Sequence, residues 1–208
     1  MELEYILPQD IEKRSFEIIG KELLDMGIDI PEEAAFLIKR AIHTTADFDY
    51  ARTLYFSEGA IDKAKELIRS GADIVTDTNM ALSGINKKRL AEFGGEVHCF
   101  MADEDVAKEA KERGLTRAAV SMERAAAIHK PKIFAIGNAP TALIALREMT
   151  DKNIFKPDFV IGVPVGFVNV EAAKELIIET DIPCIVNRGR KGGSNVAAAI
   201  CNALIYDL

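Results

Sequence analysis

The sequence predicts an α/β fold, with one doubly wound parallel sheet covered by helices on both faces. Short unbroken apolar runs recur at Asp73–Thr76, Glu96–Phe100, Lys132–Ile136, Phe159–Val163 and Pro183–Val186. Helical patterns sit between most of them and after the last, at 103–113, 117–128, 140–149, 170–179 and 194–206. Strands that are apolar throughout, alternating with helices, belong to a parallel sheet buried on both sides. No repeat, low-complexity stretch or linker divides the chain, so residues 1–208 read as a single domain.

Ahead of the first strand the pattern is helical. Phe16, Ile19, Leu23 and Met26 repeat at helical spacing, which predicts an amphipathic helix over residues 15–26. Pro31-Glu32-Glu33 places proline and acid in a first turn, and the helix they open runs toward Arg40. Ile61, Ala64, Leu67 and Ile68 mark a third helix, ended by Gly71. Later, Pro140 suits a first helical position, with Asn138 or Ala139 as the cap.

Composition narrows the function. Of 208 residues, 49% are hydrophobic and 28% charged, as in ordinary globular domains. A formal net charge of −7 argues against sequence-independent nucleic-acid binding, which needs a basic surface. No apolar run approaches the roughly 20 residues of a membrane span. The start, Met1-Glu2-Leu3-Glu4, is acidic and unlike a signal peptide. Cys99, Cys184 and Cys201 are odd in number, lack metal-ligand spacing and read as reduced, buried thiols. The expected compartment is therefore the cytosol.

Ligands of such sheets bind beyond the carboxyl ends of the strands. There the chain carries Asp77-Thr78-Asn79-Met80, Met101-Ala102-Asp103, Gly137–Thr141, Pro164–Phe167 and Asn187–Ser194. The last is the strongest local signal. Arg188, Arg190 and Lys191 stand among Gly189, Gly192 and Gly193, before a helix that begins near Ser194. Glycines allow close backbone approach, a helix start attracts anions, and arginine grips carboxylates in bidentate fashion. A solvated basic turn capped by Ser194 is the plainer account. It is not a Walker loop, because the G-x-x-x-x-G-K-[ST] order is absent. Arg117 opens a helix against the helix dipole, so a ligand carboxylate or a surface acid must justify it. The Asn138 amide either faces a ligand or belongs to a well-made turn. The segment Gly162–Val168 reads as a pocket wall, a subunit contact or core. The absence of G-x-S-x-G and G-x-G-x-x-G patterns argues against serine hydrolases and dinucleotide oxidoreductases.

The stretch Ile42–Tyr50 gathers His43, Thr44, Thr45, Asp47 and Asp49 behind an apolar helix. Histidine is the side chain most easily set to exchange a proton near neutral pH. By residue type alone, the plainer account is favoured: His43 ends a helix, with Thr44, Thr45 and Asp47 forming a capping turn. His98 lies in an apolar strand and His129 at a helix end, so both read as structural. Three scattered histidines make no zinc site.

Taken together, the motifs resemble the precorrin-8X methylmutase family of cobalamin biosynthesis. The matching segments are Ile11–Phe16, His43–Ala51, Asp77–Met80 with Gly84-Ile85, Thr116-Arg117, Gly137–Leu143, Gly162–Val168 and Gly189–Ser194. They run in family order over nearly the whole chain. Glu171-Ala172-Ala173-Lys174 departs from the Glu-Ser-Lys that the family often carries. The resemblance implies a flavodoxin-like α/β domain, a homodimer, and an isomerase that needs neither cofactor nor metal. It implies migration of a methyl group from C11 to C12 of precorrin-8X or cobalt-precorrin-8, giving hydrogenobyrinate or cobyrinate. The family's catalytic histidine falls on His43, as an acid toward the conjugated ring. Thr44 or Asp47 is the expected partner of its imidazole. Ser15, Thr44, Arg117, Asn138, Arg188, Arg190 and the Gly192 and Gly193 amides are the expected substrate contacts. A non-catalytic tetrapyrrole carrier on the same fold would need the cation loop but not His43. An enzyme acting on a phosphorylated small molecule would rest on the glycine loop alone.

Overall fold

A computed structural model describes residues 3–208. After a 3₁₀ turn at Pro8–Asp10 come α1 (Ile11–Asp25), a second 3₁₀ turn at Glu32–Ala34, α2 (Ala35–Thr45), α3 (Tyr50–Thr53), β1 (Leu54–Phe56) and α4 (Ala60–Arg69). Then follow β2 (Asp73–Thr76), α5 (Asn79–Gly84), α6 (Lys87–Ala91), β3 (Val97–His98), α7 (Glu104–Arg113) and α8 (Arg117–Ala126). The chain closes with β4 (Lys132–Ile136), α9 (Pro140–Asp151), β5 (Phe159–Gly162), α10 (Val170–Ile178), β6 (Cys184–Asn187) and α11 (Ser194–Tyr206).

The six strands form one sheet in the order β1-β6-β5-β4-β2-β3. Counted among themselves, the five parallel strands run 2-1-3-4-5, the flavodoxin-like order, and the winding reverses between β2 and β4. The side chains of β4 alternate between two cores. Ile133 and Ala135 join the core built with α2, α4 and α11, and Phe134 and Ile136 the core built with α8, α9 and α10. Both faces are thus buried, which is why the middles of the central strands are apolar on both sides, with polar residues such as Asp73, Lys132 and Asn187 at strand ends.

The sheet is mixed rather than wholly parallel. β1 pairs antiparallel with β6, Leu54 opposite Asn187 and Phe56 opposite Ile185. Its three half-buried residues form an edge strand with neither the length nor the periodicity of a sequence signal. β3 is shorter than the apolar run around it, because it pairs with β2 alone. The short helices α3, α5 and α6 also escape a periodicity argument. α2 continues past Arg40 to Thr45, packs against α11, and carries α1 on its outer side.

Candidate active site at the strand ends

At the winding reversal, Asp77 follows β2 and is fully buried. Its carboxylate accepts three backbone N–H groups across the crevice, Gly137 at 2.9 Å, Asn138 at 2.8 Å and Ala139 at 2.5 Å. Ala139 is the N-cap residue of α9, with Pro140 in the first turn as expected, and the acceptor for the N–H groups there is the carboxylate of Asp77 rather than a side chain of the cap. Burial pushes the Asp77 carboxyl upward in pKa, and the three N–H groups pull against that shift. The anion position at this helix start is filled from within, and the Asn138 side chain is left exposed beside it.

The loop after β6 is fixed from beneath. Asn187 is fully buried, donates to the Lys191 carbonyl at 2.8 Å and accepts from Thr53 Oγ1 at 2.7 Å. A Cβ at Gly192 would overlap the Val163 carbonyl, so only glycine lets the loop lie against the end of β5. Gly193, at φ 145°, donates its N–H to Val163 O at 2.9 Å. That amide is engaged inside the fold, which corrects its assignment as a carboxylate donor. Ser194 shares a 2.8 Å hydrogen bond with Thr78 Oγ1, joining the starts of α5 and α11 rather than capping α11.

Each cation of the loop already has an acid. Arg188 faces Glu175 at 3.5 Å and lies over the Tyr55 ring. Arg190 donates to Glu171 at 2.7 Å and lies over Phe167. Lys191 contacts Asp47 and Asp49, each at 2.6 Å. The loop is a set of half-exposed ion pairs, not the unopposed positive patch its sequence implies. Arg117 is exposed at the start of α8, with no acid partner among the described residues. Thr116 caps that helix through Ala119 N and reaches Thr141 of α9 at 2.9 Å.

His43 sits on the last turn of α2, which closes at Ala46 in a left-handed conformation, φ 53°. The exposed imidazole stands edge-on to Phe16 of α1, centroids 5.7 Å apart. It borders an open depression of about 340 Å³ lined by Ser15, Ile18, Ile19, Ile42 and Phe48, among others. Ser15 Oγ donates back to Ile11 O. Neither Thr44 nor Asp47 hydrogen-bonds the imidazole. Asp47 is turned to Lys191, which holds its carboxyl below the usual aspartate range. The ring is oriented instead by its packing on Phe16 and by the turn. Ser15 and His43 therefore share one depression, while Arg117, Asn138, Arg188, Arg190 and Gly192 stand outside its lining. The Lys191–Asp47 contact joins the two regions.

The family model described as CbiC, precorrin-8X methylmutase, matches residues 10–207. The chain belongs to the precorrin-8X methylmutase family. It is 46% identical over 206 residues to a cobalt-precorrin-8 methylmutase of Salmonella typhimurium, covering 97% of this chain and 96% of the relative. A cobalt-precorrin-8 methylmutase of Priestia megaterium is 42% identical over 199 residues, covering 96% and 88%. Among solved structures, a precorrin-8X methylmutase from Thermus thermophilus superposes with a TM-score of 0.84 at 37% identity, covering 95% of this chain and 96% of that one.

Within this methylmutase fold, Asp77 and Asn187 stand in the strand-end segments and Lys174 in the departing Glu171–Lys174 stretch, but the supporting part each plays was not legible from the sequence. One signal was present. Val170, Ala173, Lys174 and Ile177 share the buried face of α10, so a lysine stands in an otherwise apolar stripe.

Proposed function

We propose that this protein is the isomerase that moves a methyl group from C11 to C12 of cobalt-precorrin-8, with His43 as the proton donor. The carrying observation is the family match across residues 10–207, together with a histidine exposed at a depression able to meet a ring edge. An intramolecular shift has no net redox change. A proton given by the His43 imidazolium to the conjugated ring draws electron density toward it, the methyl group migrates, and return of a proton from the ring to the neutral imidazole restores the imidazolium. Arg188, Arg190, Arg117, Asn138 and the Gly192 backbone suit the acetate and propionate arms of the substrate, with Ser15 and Thr44 beside the histidine. Arg188 and Arg190 would exchange Glu175 and Glu171 for substrate carboxylates. The cobalt form is favoured over cobalt-free precorrin-8X because the Salmonella and Priestia relatives both carry it in their names.

The working unit is a homodimer in the cytosol. Phe167 is 81% and Val168 77% exposed at the end of β5, a patch suited to burial against a second copy. Among the described residues, no helix is long and apolar enough to cross a membrane. Sedimentation at micromolar concentration is expected to give a dimer; a monomer overturns that assignment.

Turnover of purified cobalt-precorrin-8 and of its cobalt-free form tests the activity. The expected result is a change in absorbance to a corrin product of unchanged mass. Binding without that change would favour the carrier reading.

A further inference from the structure

Lys174 is fully buried on α10, and its ammonium meets no carboxylate. It donates to Gly189 O at 2.6 Å and to Lys191 O at 2.8 Å. The two acids nearest along its helix, Glu171 and Glu175, are turned outward to Arg190 and Arg188. Burying a cation without a counter-charge is costly. Filling a gap between Val170, Ala173 and Ile177 would need only leucine or methionine. What an ammonium adds is several donors on a long stem, directed at carbonyls that converge from a loop. Those carbonyls belong to the residues on either side of Arg190. Asn187 reinforces the same point by donating to Lys191 O.

We propose that Lys174 is the positioning residue of the loop Arg188–Gly193, turning its carbonyls inward so that Arg188 and Arg190 project toward the substrate. This rests on the reading above, in which the loop grips substrate carboxylates. Two carbonyls held from beneath leave the loop one backbone course, and arginine side chains on a fixed backbone lose less freedom on binding. Desolvation lowers the Lys174 pKa to about 8, outweighing the opposing pull of the Glu171 and Glu175 charges on the same helix.

The test uses Lys174→Met, of similar length but without donors, and Lys174→Gln, which keeps two donors on a shorter stem. Each is compared with wild type in thermal melting, in trypsin cleavage after Arg188, Arg190 and Lys191, and in steady-state kinetics with cobalt-precorrin-8. The expected result is a folded variant whose loop is cut faster by about tenfold or more, with cleavage elsewhere unchanged. KM should rise by about tenfold, the loss falling on KM more than on kcat. The glutamine variant should lie between methionine and wild type. Wild-type cleavage and KM in a folded variant would overturn the proposal. So would a loss confined to kcat, or failure of both variants to fold, which would make the lysine a stability element only. If wild type itself turns over no corrinoid, the functional reading fails, and the cleavage rates still decide whether Lys174 holds the loop.

Discussion

Lys191 Nζ lies 2.6 Å from Asp47 Oδ2, so the glycine loop is fastened to the turn that follows His43. Asp49 reinforces the contact from the same side. The pair spans 144 positions of sequence and joins the proposed carboxylate grips to the proposed proton donor. The hydrogen bond from Lys191 is the main cause of the lowered Asp47 pKa. A depressed folded-state pKa means that the contribution is present above the unfolded value of about 3.9 and is lost as pH falls through the folded one. Asp47→Asn should therefore leave melting nearly unchanged at neutral pH, since half-exposed pairs contribute little. It should lower kcat/KM several-fold by loosening the turn. Any small stability difference from wild type should vanish in acid. A variant with wild-type kcat/KM would show that the contact does not set the site.

His43→Asn should abolish most turnover and leave both fold and corrinoid binding in place. The imidazole is exposed, its ring perpendicular to that of Phe16, so little packing is lost. General acid catalysis is worth about 10²–10⁴-fold, and the single-turnover rate should fall by that amount. A near-normal rate would remove His43 from the chemistry.

The central parallel strands were legible because burial on both faces makes their middles apolar runs, as in Phe159–Gly162, whereas β3 is a half-buried edge pair. β1 was not, because three residues on one edge carry no pattern. The cluster Arg188, Arg190 and Lys191 was legible as charge, but its neutralisation was not. Glu171 and Glu175 reach the loop only because α10 packs against β6. The engagement of the Gly193 amide depends likewise on Val163, thirty positions away. Sequence reading located the residue types of the site and missed which of them were already partnered.

Asp77→Ala should be the most damaging single change at the strand ends. It would leave the buried N–H of Gly137 and the partly buried N–H groups of Asn138 and Ala139 without their acceptor. Each unmet buried donor costs about 1–3 kcal/mol, so a loss of roughly 3 kcal/mol or more in denaturant unfolding is expected. The raised pKa fixes the sign of the pH effect. The folded state holds the proton to higher pH than the unfolded chain, so this group's contribution is largest in acid and declines as pH rises through its folded pKa. Asp77→Ala should accordingly flatten that part of the wild-type stability profile. A loss below about 1 kcal/mol would mean that water replaces the carboxylate readily.

Arg190 and Glu171 should respond in opposite directions. Arg190 donates to Glu171 across a half-exposed contact, and a substrate carboxylate would have to take Glu171's place. Removing the cation by Arg190→Gln should weaken corrinoid binding by about tenfold, the equivalent of about 1.4 kcal/mol. Removing the competitor by Glu171→Gln should strengthen it, because the guanidinium no longer exchanges one carboxylate for another. Salt separates the variants further. Wild-type affinity should fall as ionic strength rises, less steeply in Arg190→Gln and more steeply in Glu171→Gln, where a whole cation is exposed to the ligand. Melting temperatures should barely move in either variant. Absorbance titrations of the three proteins with the corrinoid at low and high salt measure the affinities and their salt slopes. If both variants bind like wild type with equal salt slopes, the Arg190–Glu171 pair only fastens the loop to α10. The carboxylates would then have to be sought at Arg117, an exposed cation at the start of α8 without an acid partner among the described residues.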